Sequence, residues 1–166
     1  MQVVCYFEDG HQLKQIKTWV DGKVNRETKY YQNGKQRYDR VAQGDHFLIT
    51  EFYDSGNTES RGTYKPAINL YQSGYSPDGV IESFNEDGKL RSRETYVKGR
   101  LQGQSDSYWE RKNHKVHEES HYKNDTLVRK KLFVDDKPIS ESEFMPDGSI
   151  KSRKNLGKTE LPGFDI

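Results

Sequence analysis

The chain has 166 residues, enough for one domain or one array of repeats, and its 27 Lys+Arg against 26 Asp+Glu leave a formal net charge of +1. Charges of both signs run evenly along it, which argues against a basic nucleic-acid binder and against an acidic nucleic-acid mimic. Only 31% of residues are apolar, a value common in disordered chains, yet 11 Tyr, 7 Phe and 2 Trp call for a regular structure with one thin apolar layer.

The first residues, Met1-Gln2-Val3-Val4-Cys5-Tyr6-Phe7, hold neither a basic segment nor an apolar run, so no signal peptide is expected. No stretch approaches the ~18 apolar residues of a membrane helix. Cys5 is the single cysteine, which excludes an internal disulfide framework and fits the cytoplasm.

From Leu13 onward one spacing recurs. Leu13 to Trp19, Val24 to Tyr30, Thr58 to Tyr64, Leu90 to Tyr96, Val116 to Tyr122 and Leu127 to Phe133 are each six positions apart. Six is even, so on a strand both residues face the same way, whereas a helix would scatter them. Two motif halves alternate with this spacing. Tyr30-Tyr31-Gln32-Asn33-Gly34, Phe52 to Thr58, Phe84 to Leu90 and Phe144 to Ile150 read aromatic-x-x-x-Gly-x-aliphatic, with polar substitutes in some slots. Trp19 to Val24, Tyr96 to Leu101 and Tyr122 to Leu127 read aromatic-x-x-Gly-x-aliphatic, with Asp125 in place of Gly in the last. Turn chemistry that accepts positive φ falls near Gly10, Gly22, Gly34, Gly44, Gly56, Gly74, Gly88, Gly99, Asn113, Asn124, Asp136 and Gly148. The expected fold is all-β: an elongated antiparallel meander of stacked β-hairpin repeats, about a dozen strands in a twisted open sheet, whose aromatic rows stack into a buried strip. One repeat-array domain is expected over residues 1–166, with an irregular insertion at 66–81 and a loosely ordered tail at 155–166.

Candidate site residues follow from breaks in this rhythm. The insertion is nearly uncharged and offers Tyr71 and Tyr75, which either bind a partner or pack as a degenerate repeat. Adjacent pairs such as Tyr30-Tyr31, Phe52-Tyr53 and Tyr108-Trp109 cannot both face one side of a strand, so Tyr31, Tyr53 and Trp109 are candidate interface residues unless both faces are covered. His114, His117 and His121 suggest zinc only on a helix; on strands His117 and His121 share a face roughly 13 Å apart, and no metal site is expected. Arg91–Arg93, Val128–Lys131 and Lys151–Lys154 read as solvated basic faces. No nucleophile elbow, phosphate loop, His-Glu-x-x-His or dinucleotide fingerprint occurs, so neither catalytic residues nor a cofactor is expected.

The segments Phe84–Leu101, Tyr30–Gln36, Phe52–Tyr64 and Phe144–Ile150 resemble MORN-repeat variants, and in particular the bacterial antitoxin or immunity proteins of the YwqK type. Standard MORN repeats carry a further Gly-x-Gly, of which only Leu101-Gln102-Gly103 keeps a trace. The resemblance covers roughly residues 6–155. It implies a MORN-like array and an antitoxin that neutralises a cognate toxin, a toxic enzyme domain of a polymorphic toxin, by stoichiometric protein–protein contact in the producing cell. It implies no catalytic residues; from the balanced charge and the lack of a basic, amphipathic or long apolar segment, neither nucleic acid nor a membrane is expected as a partner. The alternative is a structural scaffold that links protein partners or docks at a membrane surface.

Overall fold

The computed structural model describes residues 1–8, 10–68 and 73–157. Its thirteen strands are β1 (Gln2–Tyr6), β2 (Leu13–Val20), β3 (Lys23–Tyr30), β4 (Gln36–Gln43), β5 (His46–Phe52), β6 (Thr58–Ile68), β7 (Ser73–Phe84), β8 (Leu90–Val97), β9 (Arg100–Arg111), β10 (His114–Lys123), β11 (Thr126–Val134), β12 (Lys137–Phe144) and β13 (Ile150–Asn155). Strand order is chain order in an open meander, and no described helix is long and apolar enough to cross a membrane. The all-β meander expected from the spacing is the fold observed. The chain divides into two compact units, Met1–Leu90 and Arg91–Ile166.

Each six-residue spacing falls inside one strand. The motif halves have a more specific meaning: their aromatic and aliphatic slots are cross-strand partners on either side of a turn. Trp19 pairs with Val24, Tyr96 with Leu101 and Tyr122 with Leu127 across two-residue turns. Tyr30 pairs with Gln36, Phe52 with Thr58 and Phe144 with Ile150 across the longer turns. Such pairs are the unit of sheet stabilisation, worth roughly 0.2–1 kcal/mol each.

The two turn classes are built differently. Asp21-Gly22, Lys98-Gly99, Lys112-Asn113, Asn124-Asp125 and Asp135-Asp136 have positive φ at both positions, the type I′ geometry that matches strand twist. The longer turns repeat one hydrogen-bond pattern. The Tyr31 amide donates to the Lys35 carbonyl at 2.9 Å, and Gly34, at φ 81°, donates back to the Tyr31 carbonyl at 3.0 Å. The same pair of bonds recurs at Tyr53 to Asn57, Asn85 to Lys89 and Met145 to Ser149, and a version one residue longer closes Phe7 to Gln12. Gly74 itself lies in β7, opposite Ala67, and the segment 69–72 that joins β6 to β7 lies outside the described residues.

The described part of segment 66–81 is mostly strand. It lengthens the β6–β7 hairpin, with Lys65 opposite Ser76 and Pro66 opposite Tyr75. Two prolines are tolerated for separate reasons. β5 follows β6 only as far as Tyr64, so no strand on that side needs an N–H from Pro66. Pro77 opens a bulge in which Asp78, Gly79 and Val80 stand across from Thr63. Beyond the bulge the strands close tightly, and a Cβ at Gly62 would collide with the Ile81 side chain. At the other end, the Leu156 amide continues the ladder to the Ile139 carbonyl at 2.8 Å. The remaining tail, residues 158–166, lies outside the described residues.

The buried layer differs from the expected aromatic strip. The buried described hydrophobics are aliphatic: Ile49 in the first unit, and Val116, Val134 and Ile139 in the second, where Leu132 packs on them. The other buried side chains are polar, namely Glu27, Thr28, Arg40, Ser105, Ser120, Ser140 and Ser142. The aromatic side chains of the motif halves flank the turns instead and are half-buried. Among the described residues no buried side-chain N or O lacks a partner, which is how a thin sheet can bury polar groups without penalty. Glu27 is the extreme case. Its carboxylate meets Arg40 Nη2 at 3.1 Å, Lys17 Nζ at 3.3 Å and Lys29 Nζ at 3.7 Å, and accepts from the Gln15 amide.

Two outcomes follow. Asp136, at φ 62°, occupies the turn position that favours glycine, so Asp136→Gly should stabilise by about 0.5 kcal/mol, read as a small rise in midpoint in thermal melts; a lower midpoint would show that the carboxylate outweighs the backbone cost. Glu27→Leu should cost about 3 kcal/mol in urea melts by leaving Arg40 buried without its carboxylate, and Glu27→Leu with Arg40→Met should recover much of it. An unchanged midpoint in the single variant would show that the pair is not desolvated.

Candidate functional site

In the first unit, the register sets Lys17, Glu27, Arg40, Ile49, Gly62 and Ile81 in one row across β2–β7, on one face of the sheet. Arg40, fixed by Glu27, lays its guanidinium over two rings, 4.9 Å from the Phe47 centroid and 5.0 Å from that of Tyr75. Phe47 and Tyr75 meet edge to face at 5.2 Å and 72°. Tyr75 remains 38% exposed, so the patch combines a rigid cation with aromatic surface open to solvent. Next to Phe47 in the chain, His46 meets Asp45 through Nδ1 at 2.5 Å and Asp78 through Nε2 at 3.5 Å. Lys65 bridges the same two carboxylates at 3.5 and 3.1 Å. Asp78 reaches them because it sits in the β7 bulge. On the Arg40 side, Lys29 Nζ lies 4.8 Å over the Tyr38 ring, and burial pushes the Tyr38 phenol up to about 12 against the opposing pull of Arg40.

Tyr31 and Tyr53 serve another purpose. The Tyr31 hydroxyl donates to the Phe52 carbonyl at 2.6 Å, and the Tyr53 hydroxyl to the Phe84 carbonyl at 2.8 Å. Asn33 and Asn57 donate to the Asp54 and Glu86 carbonyls in the same way. The Tyr31–Lys35 turn is therefore tied to the Tyr53–Asn57 turn, and that turn to the Asn85–Lys89 turn, within the first unit. Phe7, Tyr30, Tyr31, Asn33, Arg37 and Asp54 border an open cavity of about 360 Å³ beside these turns. Tyr71 lies outside the described residues.

In the second unit, Trp109 is 41% exposed on β9 and pairs with Val116, which is 2% exposed. The opposite face of β9–β11 carries Tyr108, His117 and Phe133 directly across from one another. The His117 ring is stacked on both sides, 4.5 Å from Tyr108 at 7° and 5.2 Å from Phe133 at 19°. Its Nε2 lies 3.1 Å from Asp106 Oδ1, and Gln104 Nε2 donates to both Asp106 oxygens at 3.0 and 3.3 Å. Glu119 is the direct partner of Asp106, and donor atoms of Asp106, His117 and Glu119 all lie within 4.8 Å of one another. Burial first, then the charges of Asp106 and Glu119, hold the Tyr108 phenol above its ordinary value, with Arg93 opposing. His114 instead pairs with Asp135 at 2.7 Å, a hydrogen bond that holds the Asp135 carboxyl below the usual range.

Sequence reasoning named Tyr75 and Trp109 only as candidate interface residues, with packing as the other reading, and missed Arg40, Phe47, Asp106 and Glu119. It weighed His117 against its own strand, where His121 is the same-face histidine, and not against the carboxylates across the ladder. The signal was present in the turns. A two-residue turn at Lys112-Asn113 fixes the β9–β10 register, and one at Gly44-Asp45 fixes β4–β5 and brings Ala42 opposite Phe47.

No curated protein matches the chain. Residues 77–98, which run from the β7 bulge through the Asn85–Lys89 turn into the β8–β9 hairpin, match the family model of the MORN repeat variant. The chain thus carries a MORN repeat variant within an array of β-hairpins.

Proposed function

We propose that this chain is a binding protein with no catalytic step of its own, and that it acts in the cytoplasm as an antitoxin or immunity protein. It neutralises a cognate bacterial toxin, a toxic enzyme domain, by covering it in a stoichiometric complex, and it engages neither nucleic acid nor membrane. A MORN repeat fits a protein-interaction role, and the resemblance to the YwqK-type proteins points to a toxin as the partner.

The observation that carries the reading is the Arg40–Phe47–Tyr75 patch. Arg and Tyr dominate binding energy at protein interfaces, and they do so best when the side chain is already rigid before the partner arrives. Here Glu27 holds Arg40, and Arg40 with Phe47 holds Tyr75, so little rotamer freedom remains to be lost. The Asp45–His46–Asp78–Lys65 cluster beside it supplies charges of both signs, suited to a polar rim.

The test is to express the tagged chain with the product of its neighbouring gene, and to score both co-purification and growth. A one-to-one complex with rescue of growth is expected, and Tyr75→Ala should weaken the complex by about tenfold or more while leaving the melting profile near wild type. No complex and no rescue would remove the antitoxin reading. A complex that Tyr75→Ala leaves intact would remove this patch as its anchor.

A further inference from the structure

We infer that Asp106, His117 and Glu119 form a binding site for a divalent metal ion of the zinc class, on the face of the second unit that carries the Tyr108–His117–Phe133 stack. The inference is independent of the toxin partner. It rests on register, donor spacing, side-chain positioning and charge.

Asp106 and Glu119 are direct cross-strand partners, and His117 precedes Glu119 by two positions, so all three side chains rise from the same face. Their donor atoms lie within 4.8 Å of one another. Around a tetrahedral zinc with ligand bonds of about 2.0–2.2 Å, neighbouring donors stand about 3.3–3.6 Å apart. His117 Nε2 and Asp106 Oδ1, at 3.1 Å, are already close to that spacing. Only Glu119, the longest and most flexible of the three, has to swing inward.

The two closer donors are positioned before any ion arrives. The His117 ring is clamped flat between Tyr108 and Phe133, which aims its Nε2 edge at Asp106. Gln104 holds the Asp106 carboxylate with its amide. Neighbours of this kind orient metal ligands in protein sites generally. The electrostatics also favour a cation, because like charges directly opposite in a ladder repel. Arg93 stands across from Asp106 and Lys131 across from Glu119 on the outer flanks. Lys131 Nζ, however, lies 5.4 Å over the Phe133 ring, and among the described residues Glu119 forms no ion pair.

One imidazole nitrogen with two carboxylates selects a borderline ion such as Zn²⁺. Calcium and magnesium prefer all-oxygen sets, and soft copper(I) prefers sulfur. Three protein donors leave a fourth position open to water or to a donor from another molecule.

Zinc chloride titrated calorimetrically into the full chain at neutral pH should bind at one equivalent. Glu119→Gln, which keeps the side chain's shape, and His117→Gln should each weaken binding by about tenfold or more. His46→Gln and His114→Gln, which alter the other histidine–carboxylate pairs, should leave it unchanged. Cobalt(II) at the same site should give the visible absorption of a four-coordinate ion and lose it in Glu119→Gln. Circular dichroism melts identify any variant that fails to fold, and Glu119→Gln alone then decides. Absence of saturable zinc binding, or wild-type affinity in folded Glu119→Gln, would overturn the site.

Discussion

The constraint on which this structure depends is the pairing of residues on either side of each turn. A strand of five to twelve residues with few apolar side chains has little to hold it in register. The turns supply what the thin buried layer does not. A two-residue turn with both residues at positive φ, closed by an aromatic–aliphatic pair such as Tyr122 with Leu127, sets the register within its own hairpin. In the first unit the longer turns add a second tie, since Tyr31 and Tyr53 hydrogen-bond to the carbonyl before the next turn. Each such bond is worth about 1 kcal/mol net, so a series of local ties can stand in for a deep core.

This way of building a sheet has consequences for its surface. With little apolar material to bury, the layer between long charged side chains is filled by serines, a threonine and the Glu27–Arg40 pair. A buried ion pair is poor stabilisation compared with hydrophobic packing, but it fixes geometry, because each charge is costly without the other. Arg40 is held by that geometry, and the aromatic patch over Phe47 and Tyr75 depends on it. In the second unit the Tyr108–His117–Phe133 stack uses the same principle with rings: direct cross-strand partners immobilise a histidine in front of a carboxylate.

Much of the fold was legible because its determinants are local. The even spacing from Leu127 to Phe133 and the dipeptides at Asp21-Gly22 and Asn124-Asp125 speak for strands and turns without knowledge of any distant residue. The long β6–β7 hairpin was not legible, because Pro66 and Pro77 normally end strands; they are accommodated only by where β5 stops and where the bulge falls, neither of which is a local property. The aromatics were misassigned to the buried strip for a related reason. Their spacing shows that they share a face, but not that they stand beside turns, where water reaches them. At the candidate sites, Tyr75 and Trp109 could be named as candidates with packing left open, whereas Arg40 over Phe47 and Asp106 beside His117 arise only across ladders. Finding those pairs requires carrying the register out from each turn.

The most direct test of a sheet held by local, turn-based ties is native-state hydrogen exchange followed residue by residue. The account predicts graded protection: strongest in the strands that carry Ile49 and in those that carry Val116, Val134 and Ile139, and weaker step by step toward β1 and β13, whose side chains are exposed throughout. A single exchange free energy shared by all strands, edge and interior alike, would contradict it and show that one global core holds the molecule together.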